Sequence, residues 1–276
     1  MRISRAFMPM RKQISAVLAS FLVAGICTPA LAETITLGGV GSMTPLLKIL
    51  GEEYKKRNPT IDVVVMHPPI GTAGGIRALA AGKLDIALSG RSLKPGEVGQ
   101  AYAWLQTPLI LATNGGKTKG LTTKDVADIF AGRKTTWDGG AQIRVVMRGV
   151  AETETAALRS ISPEVDAAVA EALKRTDLPI AENDLDAMEV LNRISGSVGT
   201  ATLGLIKADK SRLTVLSIDG KVPSVKALES GAYPWKRDYF LVTTPAIKPA
   251  AVSFLNYLRS APALKLARDL EYGAAR

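Results

Sequence analysis

Three short turns rich in glycine and hydroxyl residues carry the groups of this sequence that could do chemistry. They are GGVGSMT at residues 38–44, GTAGG at residues 71–75 and LSGRS at residues 88–92. Each turn follows an apolar run and is expected to open a helix, whose first backbone N–H groups have no partner within the helix. Because those N–H groups lie at the positive end of the helix dipole, the pattern is typical of oxyanion binding.

These turns also have an ordinary interpretation, since serine, threonine and glycine cap many helices that bind no ligand. A single turn of this kind would be assigned as a cap. Arg91 lies within the third turn, however, and Arg148 follows another apolar run at residues 143–147. A guanidinium is a planar fork of donors that matches two oxygens of phosphate, sulfate or a carboxylate. The repeated format and the two arginines therefore favour one shared anion site.

Glu152 and Glu154 follow Arg148 and leave the charge of the candidate site open. In the first turn of a helix, both carboxylates would stabilise the helix dipole and do nothing more. If either faced a cleft it would repel a dianion, by about 4 kcal/mol for unit charges about 4 Å apart at an effective dielectric constant of about 20. Either could instead accept the proton of a monoprotonated oxyanion or pair with a cationic part of the ligand.

Signatures of catalysis are sparse in this sequence. His67 is the only histidine, Cys27 is the only cysteine, and no His–Glu or Cys–His spacing typical of zinc sites is present. Neither a Gly-x-Ser-x-Gly elbow nor a phosphate-loop lysine motif occurs. The sequence therefore predicts a protein that is not an enzyme and needs no metal or organic cofactor. An exported hydrolase with a serine or threonine nucleophile and a glutamate base is the less favoured alternative.

The first 32 residues have the composition of a secretory signal peptide. Four basic residues precede an apolar stretch at residues 14–31, and Ala30-Leu31-Ala32 forms a small-x-small cleavage site. Cleavage is predicted after Ala32, which would place the mature protein in the periplasm. The large side chain of Ile26 before Cys27 argues against a lipoprotein signal.

Cleavage would leave 244 residues without a cysteine. It would remove four of the 35 basic residues and none of the 25 acidic ones, so the net charge would fall from +10 to +6. Without disulfides the chain depends on a large apolar core, which this length allows as one domain or as two lobes. The remaining positive charge is mild, and no long basic run follows the leader. Nucleic acid is therefore not an expected partner.

Apolar runs and amphipathic stretches alternate along the mature sequence, which indicates an α/β architecture. Ligands of such folds bind at the carboxyl ends of parallel strands, where the glycine and hydroxyl turns lie. Strands are predicted at residues 34–37, 61–66, 84–88, 109–112, 143–147, 213–216 and 239–242. Helices are predicted at residues 123–130, 163–174, 185–194 and 250–259, around Leu46, Leu47, Leu50 and Tyr54, and around Ile76 and Leu79.

The order and spacing of six segments are similar to those of a known family. The segments are GGVGSMTPLLKIL, PPIGTAGGIRALAAGKLDIALSGRSLKP, TPLILATN, LTTKDVADIFAGRKTTWDGG, SGSVGTATL and AYPWKRDYFLV. Together they resemble the periplasmic phosphate-binding proteins of bacterial ABC importers over nearly all of the mature chain. The resemblance implies a type II periplasmic binding protein fold, in which two hinge strands join two α/β lobes and the ligand lies in the cleft between them.

The resemblance also implies where the chain passes between the lobes. Residues 107–113 would carry the chain into the second lobe, and residues 239–244 would bring it back. We therefore expect the first lobe to comprise residues 33–107 and 242–276, and the second lobe to comprise residues 108–241.

By the same resemblance, both lobes would hold the anion. From the first lobe we expect contacts by Ser42, Thr44, Thr72, the backbone of Ala73 and Gly74, Ser89 and Arg91. From the second lobe we expect contacts by Arg148, Thr153 and Thr155. Two departures bear on the identity of the anion. Gly90 stands where the family has an aspartate that accepts the proton of bound phosphate, and AETET at residues 151–155 replaces a Gly-Ser-Gly-Thr stretch.

The expected function is that of a monomeric periplasmic protein that captures a small oxyanion, with phosphate foremost. The protein would deliver this anion to the membrane permease of an ABC transporter. The alternative is a binding or sensory module for a different anionic or zwitterionic ligand, which the departures at Gly90, Glu152 and Glu154 favour.

Overall fold

The computed structural model describes Met1, residues 32–115 and residues 118–275 of the chain. The predicted signal peptide therefore lies outside the described residues, apart from Met1 and Ala32. From residue 32 onward the chain forms one compact unit by itself. None of the helices in this described part is long and apolar enough to span a bilayer.

The strands and helices alternate as the sequence predicts, with one exception. The third turn, at residues 88–92, was expected to open a helix, but residues 90–99 form bends and turns that lead into the next strand. The strands are β1 (Glu33–Gly39), β2 (Ile61–Val65), β3 (Ile86–Ser89), β4 (Gln100–Thr113), β5 (Gly120–Leu121), β6 (Arg144–Arg148), β7 (Ile180–Ala181), β8 (Ser197–Thr202), β9 (Thr214–Ile218), β10 (Lys236–Thr243) and β11 (Gly273–Ala274). The helices are α1 (Thr44–Arg57), α2 (Gly71–Ala80), α3 (Thr123–Phe130), α4 (Thr153–Arg159), α5 (Pro163–Ala172), α6 (Asp184–Arg193), α7 (Leu203–Ala208), α8 (Val225–Glu229), α9 (Pro249–Leu258) and α10 (Ala261–Asp269), with a 3₁₀ turn at Gly41–Met43.

Two long strands, β4 and β10, lie in the middle of the sheet, whose order is β2-β1-β3-β10-β4-β8-β6-β7. Strands β1, β2 and β3 are parallel to one another, whereas β10 is antiparallel to both β3 and β4. The first part of β4 pairs with β10, and its residues 109–113 pair with β8. Because β4 is shared in this way, the chain forms the two-lobed α/β arrangement that the sequence predicts. The predicted lobe boundaries near residues 107 and 242 lie within these two strands and remain predictions.

Each half of the sheet carries its own apolar core. In the first half, α1 and α9 bury Leu46, Leu50 and Phe254 against Leu37 of β1. In the second half, a separate core forms around Phe130, Trp137, Val165 and Leu216. A fully buried leucine or phenylalanine contributes about 1.5–3 kcal/mol relative to an exposed one. Each half of the sheet is thus packed by apolar residues of its own.

Strand β8 was not predicted, although all six of its residues are buried. Its sequence, SVGTAT, contains one large apolar residue, so it has no apolar run for a pattern to detect. Helix α3, in contrast, has the bounds predicted from the sequence. Thr122 and Asp125 form a capping box at its start, which is a signal that the local sequence carries.

Helix α2 and strand β1 approach each other closely enough to require glycine. A Cβ at Gly75 would lie 2.9 Å from the Cα of Gly39, and a Cβ at Gly39 would lie 2.1 Å from the carbonyl oxygen of Leu88. Gly39 also has a φ of +131°, which L side chains rarely adopt. These contacts bring the second and third turns against the end of β1.

We expect Gly39→Ala to destabilise the protein by about 3 kcal/mol or more. The alanine side chain is unfavourable at this φ, and its Cβ would clash with the carbonyl oxygen of Leu88. Gly82→Ala is the matched control. Gly82 also has a positive φ, of +68°, but nothing lies within 4 Å of a Cβ there, so its cost should be about 1 kcal/mol. Urea unfolding of both variants measures the difference. Equal losses of stability would show that close packing at the end of β1 is not required.

Candidate functional site

A cleft of about 570 Å³ is lined by residues of both halves of the sheet. The first half contributes the 3₁₀ turn, the start of α2 and Arg91. The second half contributes Arg148, the loop before α4 and the start of α6. Another cavity, of about 670 Å³, lies in the second half, and none of the predicted ligand residues lines it. The first cleft, which includes the start of α2 and Arg148, is therefore the better candidate for an anion.

Helix α2 points an uncapped start into the cleft. Its N-cap residue, Ile70, has an apolar side chain that cannot accept a hydrogen bond from the helix. The first N–H groups therefore remain available to a ligand. Thr72, Ala73 and Gly74 line the cleft, as predicted. The hydroxyl of Thr72 has a second role, because it accepts a hydrogen bond of 2.9 Å from the N–H of Gly90. That bond ties the second turn to the third.

Arg91 also lines the cleft, but its guanidinium is already engaged. Its two terminal nitrogens donate to the Glu97 carboxylate at 2.8 and 2.7 Å. Hydrogen bonding to Glu97 raises the pKa of Arg91, and the same pair lowers the pKa of Glu97 to about 2. The backbone N–H of Arg91 donates to the Ser89 hydroxyl. Arg91 is thus less free to meet a ligand than its place in the turn suggested.

Four predicted ligand residues are buried and do not belong to the residues that line the cleft: Ser42, Thr44, Ser89 and Thr155. The hydroxyls of Ser42 and Thr155 make hydrogen bonds within the protein. The Ser42 hydroxyl accepts from Tyr239 at 2.9 Å, and the Thr155 hydroxyl donates to the Gly149 carbonyl at 2.8 Å. These two hydroxyls therefore hold the turns rather than contact a ligand at the cleft surface.

Arg148 reaches the cleft from the end of β6, as predicted, and its side chain is 4% exposed. One terminal nitrogen donates to the Ala181 carbonyl at 2.9 Å and the other to Glu152 at 3.0 Å. Its Nε has no hydrogen-bond partner among the described residues. Thr153, the first residue of α4, is exposed beside it. The second half of the cleft therefore presents a buried cation with bonding capacity left over.

Arg237, on β10, is a cleft residue that the sequence predictions missed. Its side chain is 4% exposed, and its Nη1 lies 3.1 Å from a carboxylate oxygen of Glu154. The geometry of this contact is not that of a hydrogen bond. Nε and Nη1 of Arg237 therefore have no hydrogen-bond partner among the described residues. The alternation of β10 is a signal that could have found it, because Arg237 shares the inward face with Tyr239 and Leu241.

Gly90 makes room for Arg237. A Cβ at position 90 would lie 2.5 Å from Nη2 and 2.7 Å from Cζ of the guanidinium. Where the family resemblance leads one to expect an aspartate, this chain therefore places an arginine that comes from another strand. The third turn thus faces a positive group instead of carrying a negative one.

Two carboxylates complete the buried cluster. Glu154 has a side chain that is 2% exposed, and desolvation raises its pKa to about 7. Burial by itself would also raise the pKa of Asp184, but the charges of Arg237 and Arg148 and hydrogen bonds from Ser42 lower it below its ordinary value. The Ser42 N–H donates to Asp184 Oδ2 at 2.9 Å. Asp184 thus connects the second half of the sheet to the first turn.

Known proteins share the fold and part of the sequence. A family model for the PBP superfamily domain matches residues 28–262. Protein SphX of Synechococcus elongatus is 27% identical over 270 residues, which cover 86% of this chain and 76% of SphX. The phosphate-binding protein PstS of Borreliella burgdorferi is 23% identical over 245 residues, which cover 83% of this chain and 85% of PstS.

A solved structure with a similar fold is described as a phosphate ABC transporter substrate-binding protein with bound phosphate, from Clostridium perfringens. It is 17% identical to this chain, with a TM-score of 0.70, and the match covers 88% of this chain and all of the other. The predicted two-lobed periplasmic binding protein fold is thereby confirmed.

The buried Glu154 should make stability depend on pH. Because its pKa is raised from 4.5 to about 7, the folded state binds more protons than the unfolded state between those values, and stability falls as pH rises through that window. We expect Glu154→Gln to remove about 2–3 kcal/mol of this fall. Urea unfolding at several pH values, comparing the variant with the wild type, measures it.

Glu164→Gln is the control for this experiment. The pKa of Glu164 is lowered by a hydrogen bond from Ser162. Glu164 therefore stabilises the folded protein above its ordinary pKa and loses this effect as the pH falls, which is the opposite pH dependence to that of Glu154. A Glu154→Gln protein with the same pH dependence as the wild type between pH 4.5 and 7 would show that Glu154 is ionised throughout.

Proposed function

The chain belongs to the PBP superfamily, and from this premise we propose that it is an exported solute-binding protein that captures a small tetrahedral oxyanion, with phosphate foremost. The captured anion would pass to the membrane permease of an ABC importer, and the protein would act as a monomer in the periplasm. One lobe would bind the anion at the start of α2, and closure of the cleft would add groups of the second lobe.

The observation that carries the proposal is the pairing of an uncapped helix start with a buried guanidinium across one cleft. The first N–H groups of α2 have no side-chain cap, and Arg148 keeps an Nε without a hydrogen bond. A buried polar group without a partner is costly, by about 1–3 kcal/mol. An oxyanion in the cleft would satisfy both sets of donors at once.

The names of similar proteins support phosphate as the first ligand to test. PstS of Borreliella burgdorferi is named a phosphate-binding protein, and the structure from Clostridium perfringens is described with bound phosphate. The size of the cleft leaves room for a second candidate. At about 570 Å³ it lies within the range of about 300–1,000 Å³ that is typical of sites for larger ligands. An organic phosphate would therefore fit as well, and its capture could serve sensing rather than transport.

The contacts of the buried hydroxyls disfavour the hydrolase alternative. The Ser42 hydroxyl is paired with the phenol of Tyr239, and the Ser89 hydroxyl with backbone groups of Arg91. A serine nucleophile must also be able to reach its substrate. Neither serine belongs to the residues that line the cleft, so we propose binding without turnover. Hydrolysis of a phosphoester by the purified protein would contradict this part of the proposal.

Calorimetric titration of protein produced from the full-length sequence, stripped of bound ligand, tests the proposed function. Phosphate, sulfate, molybdate and two or three organic phosphates are titrated in turn. We expect phosphate or an organic phosphate to bind with a dissociation constant in the micromolar range or below. The absence of heat with all of these anions would overturn the proposed function.

Arg148→Lys should weaken binding of the preferred anion by about tenfold or more, because lysine keeps the charge but loses the planar fork that holds two oxygens. Arg144→Lys is the matched control, since Arg144 lies on the same strand but is exposed. It should change the affinity by less than about twofold. Titration calorimetry measures both variants, and circular dichroism checks that they fold. Equal affinities for the two variants would exclude Arg148 from the site.

A further inference from the structure

Arg237 has the features of a ligand group in addition to those predicted from the sequence. Resting on the proposed function, we propose that Arg237 is a second guanidinium ligand of the anion and that Gly90 is the residue that admits it. The cleft would then hold its anion between two guanidiniums and the start of α2.

The unused donors of Arg237 are the first support. Its side chain is buried, it lines the cleft, and its Nε and Nη1 make no hydrogen bond among the described residues. A guanidinium has five N–H donors, and burial without partners is unfavourable for each of them. Glu154 lies beside the guanidinium, but its two carboxylate oxygens also make no hydrogen bond among the described residues, so the contact leaves these directed bonds unmade. An oxyanion bound to the guanidinium would supply acceptors for them.

The position of Arg237 is held from several sides. The guanidinium lies 5.8 Å from the centre of the Tyr239 ring, and Glu154 lies beside it. Gly90 leaves space for it above the third turn. The side chain is thus presented to the cleft in one place before any ligand arrives, which lowers the cost of ordering it on binding.

The arrangement predicts a class of ligand. Two guanidinium forks and the N–H groups of α2 offer donors from three directions, and a tetrahedral oxyanion has oxygens to meet all three. A simple carboxylate has only two oxygens in one plane and cannot meet them. We therefore expect phosphate, sulfate or a phosphate monoester to bind well and acetate to bind poorly.

Three variants test the role of Arg237. Arg237→Gln removes the cation, and the double variant Arg237→Gln with Glu154→Gln replaces the ion pair with a neutral pair of similar shape. Gly90→Ala keeps both charged groups but displaces the guanidinium, which is the flexible end of a side chain. Titration with phosphate, sulfate and acetate should show a loss of phosphate affinity of about tenfold or more in all three.

Arg259→Gln is the matched control, because Arg259 is an exposed arginine that also lies over a tyrosine ring, that of Tyr102. It removes the same charge outside the cleft and should change the affinity by less than about twofold. If the double variant or Gly90→Ala bound phosphate as the wild type does, Arg237 would not be a ligand. If the wild type bound no oxyanion, the proposed function would fail and this inference with it.

Asp184 carries a second inference, which also rests on the proposed function. We infer that its carboxylate competes with the anion for the first turn and for Arg148. Asp184 comes from the start of α6, yet its Oδ2 accepts the backbone N–H of Ser42 at 2.9 Å. Its Oδ1 lies 3.7 Å from Nη2 of Arg148. A free oxyanion would seek the same two partners, a backbone N–H of the first turn and the guanidinium across the cleft.

Asp184→Asn tests this inference, since asparagine keeps the shape and an acceptor for Ser42 but loses the negative charge. We expect phosphate to bind about tenfold more tightly to the variant, because a like charge beside the anion has been removed. Asp186→Asn is the matched control. Asp186 lies in the same helical turn but accepts from the N–H of Glu182, so its change should be less than about twofold. Unchanged or weaker binding by Asp184→Asn would show that Asp184 supports the site instead of competing for it.

Discussion

Charge buried between the two halves of the sheet is the constraint on which the cleft depends. The side chains of Arg148, Arg237, Glu154 and Asp184 are at most 10% exposed, and an ionised group taken out of water costs several kcal/mol unless it is paired. Each group is delivered by a regular element, β6, β10, α4 or α6, whose place is fixed by packing. Asp184, and Glu154 above its raised pKa, offset the charge of the guanidiniums, but three guanidinium nitrogens have no hydrogen bond among the described residues. The proposed function rests on that remaining capacity.

The turns of the first half play a different part from the one their hydroxyl groups suggest. Thr72 binds the N–H of Gly90, and Ser42 binds Tyr239, so these hydroxyls lock the turns in place. The donors left for a ligand are then backbone N–H groups at the start of α2, which are neutral and already oriented. The first half thus supplies neutral backbone donors together with the partly or fully exposed cations Arg77, Arg91 and Lys94, whereas the buried charged groups come from the second half and from β10. Under the proposed function, this division would let one side hold an anion weakly before the other closes on it.

Much of the fold was predictable because its signals are local. Helix α3 has a capping box at Thr122 and Asp125, and α5 begins with Ser162, whose hydroxyl accepts from the N–H of Val165. Strand β8 was missed because its buried residues are small and polar, and only its neighbours β4 and β6 make it a strand. The site follows the same rule. The α2 turn and Arg148 were found from their place after apolar runs, whereas Arg237 was not.

By itself, the sequence determined that helices begin near the first two glycine and hydroxyl turns and that such starts leave backbone N–H groups unpaired, because caps and dipoles depend on neighbours within a few residues. At the third turn the same pattern predicts a helix, but the chain runs on to β4 instead. Only the tertiary structure decided which groups face the cleft. It paired Arg91 with Glu97 and brought Arg237 over Gly90. It also placed Asp184 on the first turn. Contacts between distant parts of the chain depend on how strands pair and lobes pack, and the local spacing of residues in the sequence does not predict these contacts.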